Sequence, residues 1–254
     1  MGVRRKRSRQ RRLGGPLGIV LRAVPVALLV GVGLASFSEE ARATPPGRSA
    51  SQLVSEALHN ATHGGWVHEV AKASGKGHSF SAIDDIGTTE GRQDIESDSA
   101  RAKVILFNGV AYIEANADGV ANYFDFTTAD PAQLAGRWFT VTSSMTAYAP
   151  VTDAVTLASD FDQLGIVGPY TAGKQTVVDH QKVIPVHGFV PGASKGPNAP
   201  ITLYVTATGT TLPVEFSAST KSVSDTVTWS DWGKLVHLVP PANPSPLPSG
   251  LSTD

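Results

Sequence analysis

The sequence predicts an α+β protein: one large curved antiparallel β-sheet with its helices gathered on a single side. Three observations carry this expectation. An amphipathic helix pattern opens the folded region, two blocks of strand-like segments follow, and a second amphipathic stretch lies between those blocks.

Residues 44–50 are rich in Pro, Gly and Ser and read as a linker. From Ser51 to about Thr62, Leu53, Val54, Ala57, Leu58 and Ala61 fall on one helical face, and Gly64-Gly65 stops the run. The period then changes to two: Val67 to Val70 and His78 to Ile86 read as strands, and Arg92 to Ser97 alternates more weakly. In Lys103 to Ile113 two apolar runs flank Asn108-Gly109, a pair that accepts the positive φ of a type I′ turn, so a β-hairpin is expected. Its strands are apolar on both sides, which predicts cover on both faces.

Short helical stretches are expected near Val120 to Phe124 and Pro131 to Ala135, and a longer helix from Thr146 to Gly165. In the last, Val151, Val155, Leu157, Ala158, Phe161 and Leu164 form an apolar stripe, with Asp153, Asp160 and Asp162 largely off it. Strands follow at Thr176 to His187, Ile201 to Thr208, Leu212 to Ala218, Val223 to Trp229 and Leu235 to Val239, with Gly192 to Pro200 a loop. Pro240-Pro241 ends the domain, which spans residues 51–241, and the Pro-rich residues 242–254 read as a disordered tail.

Residues 1–43 read as a signal peptide or an N-terminal membrane anchor. A basic cluster at residues 4–12 precedes an apolar run from Ala23 to Ala35, too short to span the hydrocarbon core by itself, and Ala41-Arg42-Ala43 offers small residues for cleavage. The rival, an uncleaved anchor, would use residues 17–37 and keep the basic cluster inside. Either way the chain is expected outside the cytoplasm, in the cell envelope, periplasmic or secreted.

The 254 residues are 41% hydrophobic and 17% charged, with no Cys. That excludes disulfides, thiolate metal sites, Cys nucleophiles and a lipid anchor on an N-terminal Cys. The net charge of -1 hides an asymmetry, because residues 1–43 hold nine of the 21 basic and two of the 22 acidic residues. The remainder carries 12 basic and 20 acidic side chains, a net of -8, which argues against nucleic acid as a partner.

Catalytic motifs fail on inspection. Gly168 to Thr176 nearly spells a phosphate-binding loop, but Gln175 stands where a magnesium-ligating hydroxyl is needed, and a strand-like segment follows. His59, His63 and His68 are closely spaced, yet no convergent carboxylate completes a zinc set, so solvated or capping roles are expected and no metal or cofactor. There is no Gly-x-Ser-x-Gly elbow, and Asp84, Asp85, Asp94, Glu96 and Asp98 fall in no pattern that singles out an acid/base pair. A curved sheet under an amphipathic helix leaves room for an apolar ligand. Phe80, Ile105, Phe107, Tyr112, Phe124, Phe126, Leu157 and Phe161 are the candidates to line it, against the alternative that all eight are ordinary core.

Several phrases resemble one family. They are Ile105 to Ile113 (ILFNGVAYI), Leu134 to Val141 (LAGRWFTV), the helix with Leu157, Phe161 and Leu164, Ile201 to Phe216, and Val227 to Pro241 (VTWSDWGKLVHLVPP). Together they resemble the LolA/LolB-like lipoprotein-carrier fold, in particular the actinobacterial envelope lipid-binding lipoproteins of the LppX/LprG type. The resemblance implies a half-barrel whose concave side is covered by helices. It also implies a hydrophobic cavity for the acyl chains of a lipid, glycolipid or acylated lipoprotein, with no enzymatic activity. The branch carries a lipidated cysteine after its signal, and this sequence lacks it, leaving a free carrier or one tethered by an uncleaved leader. The other function class is an envelope protein–protein interaction or regulatory module with a filled core.

Overall fold

The computed structural model describes residues 47–124, 131–153, 155–191, 198–220 and 223–248. The expected leader, residues 1–43, lies outside them, as do residues 44–46 of the expected linker.

Helix α1 (Ala50–Thr62) starts at a capping box: the Ser49 hydroxyl accepts from Gln52 N at 3.2 Å, and Ser49 N donates to Gln52 Oε1 at 2.8 Å. Leu53, Val54, Ala57 and Ala61 form its buried face, and His63 is its C-cap. Five strands follow as a meander: β1 (Trp66–Gly75), β2 (His78–Gly87), β3 (Gly91–Ser97), β4 (Ala100–Phe107) and β5 (Val110–Ala115). The β4–β5 turn has Asn108 and Gly109 at φ 50° and 72°, the type I′ signature expected of that pair.

Helix α2 (Ala117–Gly119), a π-helical turn (Val120–Phe124) and α3 (Pro131–Leu134) lead to β6 (Phe139–Thr142). The long helix expected over residues 146–165 is two short ones, α4 (Tyr148–Thr152) and α5 (Leu157–Gln163). Between them the chain drops onto the sheet, where Thr156 is extended and bridges Gly87. Gly91 makes this approach possible, since a Cβ there would collide with the Val155 carbonyl.

The second block holds β7 (Val167–Ala172), β8 (Thr176–Val178), β9 (Gln181–Val190), β10 (Ala199–Thr206), β11 (Pro213–Ser219) and β12 (Val223–Ser230). The expected strand at Thr176 to His187 is split by a turn with positive φ at Asp179 and His180. Strand β7 takes in residues 168–172 of the near-phosphate-loop motif. It lies at one end of the strand order, where Pro169 needs no ladder bond.

Leu235 to Val239, expected as a strand, joins no ladder, because both sides of β12 are already taken by β1 and β11. It alternates nonetheless: Val236 and Leu238 are half-buried, while Leu235, His237 and Val239 are exposed. The expectation of a disordered tail from residue 242 fails for the described residues up to 248. Ser245–Pro246 form β13, parallel to β6, and Leu247 is 4% exposed in the core. Residues 249–254 lie outside the described ones.

The strands form one sheet in the order β13-β6-β5-β4-β3-β2-β1-β12-β11-β10-β9-β7, with β8 also on β9, antiparallel apart from β13. It does not close, and it is the half-barrel expected. Two apolar clusters fill its inner face. One joins α1 and α5 to β1, β2 and β9–β12, and the other joins the π-helical turn, α3 and α4 to β3–β6. Phe80 packs against both.

Candidate functional site

Strand parity decides which side chains enter the space beneath the helices. On β1 the inward residues are Val67, Glu69, Ala71 and Ala73, all buried. Register then places Trp229, Glu69, Asp84 and Gln93 side by side across β12, β1, β2 and β3. Trp229 Nε1 donates to Glu69 Oε2 at 2.7 Å, and Gln93 Nε2 donates to Asp84 Oδ2 at 3.1 Å. This polar row crosses a largely apolar face, on which Asp225 of β12 is also buried.

Helix α5 lies over the row. Its Phe161 ring is 5.4 Å from Trp229 and 5.8 Å from Trp232, both with tilted planes. The Trp232 ring in turn presses on Gly64, where a Cβ would stand 2.8 Å from Cε3, and its Nε1 donates to the Pro213 carbonyl at 3.1 Å. Asp160 was expected off the apolar stripe; instead it is 0% exposed, on the same side as Leu157 and Phe161. Helical spacing puts residues 157, 160 and 161 on one side of this short helix, and 162 stays exposed.

Of the eight candidate lining residues, Leu157 and Phe161 are buried in the α1/α5 cluster, Phe124 is buried in the other, and Phe80 touches both. Ile105, Phe107 and Tyr112 are not brought to them. Val104 and Leu106 take the inner side of β4, with Ala111 and Ile113 opposite on β5, so Ile105 and its cross-strand partner Tyr112 occupy the outer face. Phe107 shares a recess of about 340 Å³ with Trp66 and residues 235–238, so a piece of extended chain, in place of a helix, lies beside that part of the hairpin. Phe126 lies outside the described residues. Sequence reasoning missed Glu69, Gln93, Asp160 and Trp229 as members of the interior. For Glu69, Gln93 and Trp229 the signal was strand parity, and for Asp160 it was helical spacing from Leu157.

The outer face is polar. Two adjoining recesses of about 620 and 580 Å³ share Ser81 and Glu96 and are bordered by Lys72, Asp94, Asp98, Arg101, Lys103 and Glu114. Here His68 Nδ1 lies 2.8 Å from Asp85 Oδ1, and Arg92 Nε donates to Asp85 Oδ2 at 2.6 Å. At the tip of β2 the His78 ring, 2.7 Å from Asp98 Oδ2, holds that carboxyl below its ordinary value, helped by Ser79 N. Within the second cluster, burial pushes the Tyr123 phenol up to about 12. His59 and His63 stack at 4.6 Å at the end of α1, and no group of three metal-ligating side chains occurs among the described residues. No helix of the described residues is long and apolar enough to cross a membrane.

No family model and no curated protein matches the sequence. Solved structures do. LprF from Mycobacterium bovis superposes with a TM-score of 0.51 at 15% identity, over 76% of this chain and 97% of LprF. The chain shares the fold of LprF. The Mycobacterium tuberculosis lipoprotein LppX is also similar, at 16% identity and a TM-score of 0.45, over 73% of this chain and 97% of LppX. At such identities the likeness concerns the path of the backbone. The polar row and the position of Asp160 are read from this chain's own side chains.

Proposed function

We propose that this chain is an exported, non-enzymatic carrier that shelters the acyl chains of a lipid, glycolipid or acylated lipoprotein between the half-barrel and its helices. The observation that carries the reading is the unclosed sheet, whose inner face is apolar on both sides of Phe80 and is roofed by short separate helices. Transfer of an acyl chain into such a space is worth about 0.8 kcal/mol per methylene before the costs of binding are subtracted. Export is the natural consequence of the leader at residues 1–43, which either is removed or holds the carrier at the membrane.

Native mass spectrometry of protein purified from its own host tests the reading. Mass increments that vanish on extraction with organic solvent are expected. A ligand-free spectrum from lipid-replete cells would overturn it.

A second reading is favoured by one observation: among the described residues both clusters are densely buried. A filled core would make the protein an envelope interaction or regulatory module, recognising a protein through loops or strand edges. It predicts the ligand-free spectrum and co-purification with a stoichiometric protein partner.

A further inference from the structure

Strand direction sorts the turns to two ends of the sheet. Register puts the start of β1, the β2–β3, β4–β5 and β8–β9 turns, the β10–β11 connection and the exit from β12 at one end. Four large apolar side chains are exposed among the described residues, and three are at this end: Val177 of β8 at 62%, Leu235 at 65% and Val239 at 76%. The fourth, Ile83, is midway along β2, and the opposite end carries none among the described residues.

Leu235 and Val239 belong to the extended segment after β12, which is fastened on both sides. Gly233 N donates to the Trp66 carbonyl at 2.8 Å, and Ser245 N donates to the Trp138 carbonyl at 2.9 Å. Between these points Val236 and Leu238 are half-buried beside Trp66 and Phe107, so Leu235, His237 and Val239 turn outward together. Single apolar residues scattered over a surface are ordinary, whereas a concentration at one end marks a contact.

The chain also enters at this end. Just before α1, Arg48 Nη1 donates to Thr211 Oγ1 at 2.8 Å, in the β10–β11 connection. Residues 36–46 separate the apolar run of the leader from Gly47 and, fully extended, reach about 40 Å. A leader that stays in a membrane therefore keeps this end close to the bilayer. Lys234 is paired with Asp231 at 3.1 Å, so the outward apolar side chains, and not charge, supply the attraction.

We propose that the end of the half-barrel bearing Leu235 and Val239, flanked by Val177, docks on a lipid bilayer. The two side chains enter the boundary between head groups and acyl chains, and the sheet stands on its strand ends. A part in lipid transfer rests on the carrier reading, and the docking itself does not.

A chain without cysteine accepts a single fluorescent reporter. His237→Cys, carrying an environment-sensitive dye, is compared with Ser99→Cys in the β3–β4 turn at the opposite end. Each labelled full chain is mixed with vesicles of phosphatidylcholine and phosphatidylglycerol whose acyl chains are brominated. The dye at 237 should be blue-shifted and quenched at low and high salt alike, and the dye at 99 unchanged. Adding Leu235→Asp together with Val239→Asp should cut the quenching at 237 at least about fivefold, with the circular dichroism of the sheet intact. Equal quenching at 237 and 99, or quenching untouched by the two aspartates, would overturn the docking. So would a blue shift at 237 that grows with protein concentration in the absence of vesicles, which would give the surface to a second copy. Quenching that stays wholly with the protein once the vesicles are removed comes from a captured lipid; it would support the carrier reading and overturn the docking. Native mass spectrometry tests uptake with no bilayer present, so either reading can fail without the other.

Discussion

The indole Nε1 of Trp229 donates to Glu69 Oε2 at 2.7 Å inside the interior, between two residues that face each other across β12 and β1. The bond ties the first strand of the folded region to the last long one. It also occupies one oxygen of an acid that has no access to water. Trp229→Phe removes the donor and is expected to cost about 1–3 kcal/mol, read as a lower urea midpoint. An unchanged midpoint would mean that the bond adds nothing to stability.

Gly91 is expected to tolerate no side chain. Gly91→Ala puts a methyl against the Val155 carbonyl, where backbone rather than a pliant side chain must give way. The expected loss is about 1–3 kcal/mol, with changed amide chemical shifts in residues 152–157. A spectrum unchanged outside residue 91 would contradict the close approach.

Leu157 and Phe161 separate a role in lipid uptake from a role in the sheet. Leu157→Trp fills space under α5, and Phe161→Asp places a charge there. Both are expected to abolish the lipid increments in native mass spectrometry while the far-ultraviolet circular dichroism of the strands persists. Retained increments in both variants would count against the space under α5 as the binding volume.

Tyr123 gives an alkaline signature. Its ordinary value of 10.0 is pushed up to about 12, mainly by burial, so the folded protein keeps the neutral phenol where the unfolded chain has lost its proton. The stability this contributes is complete below 10.0 and is lost as pH rises towards 12. A phenolate absorbance titration should show a late-titrating tyrosine that Tyr123→Phe removes, and the variant should lose less stability over that window. Burial also pushes up the Tyr204 phenol, so loss of the late step through Tyr204→Phe instead would reassign it.

The sheet was largely legible in the sequence, and the choice of face was not. Asn108-Gly109 fixes the β4–β5 turn because few residue pairs accept positive φ twice, and period-two stretches located most strands. For Lys103 to Ile113, however, both faces are apolar, so nothing local says that Val104 and Leu106 point in while Ile105 and Phe107 point out. That is set by the register with β3, whose Gly91, Gln93 and Ile95 leave only one consistent side. Residues 146–165 carry one apolar stripe but two helices, because the approach of Thr156 to Gly87 is a tertiary event. Ser245–Pro246 and Leu247 look like a proline-rich end until β6 offers an edge.

The pairing of β1 with β12 sets a condition on how this protein comes into being. Trp66–Gly75 lies beside Val223–Ser230, so the centre of the sheet is sealed by segments from opposite ends of the folded chain. A ribosome would have to release nearly all of it before that seam could form, and contacts so distant along the chain are slow to find each other. A polypeptide whose half-barrel cannot complete its central seam until residues 223–230 arrive stays open through most of its synthesis.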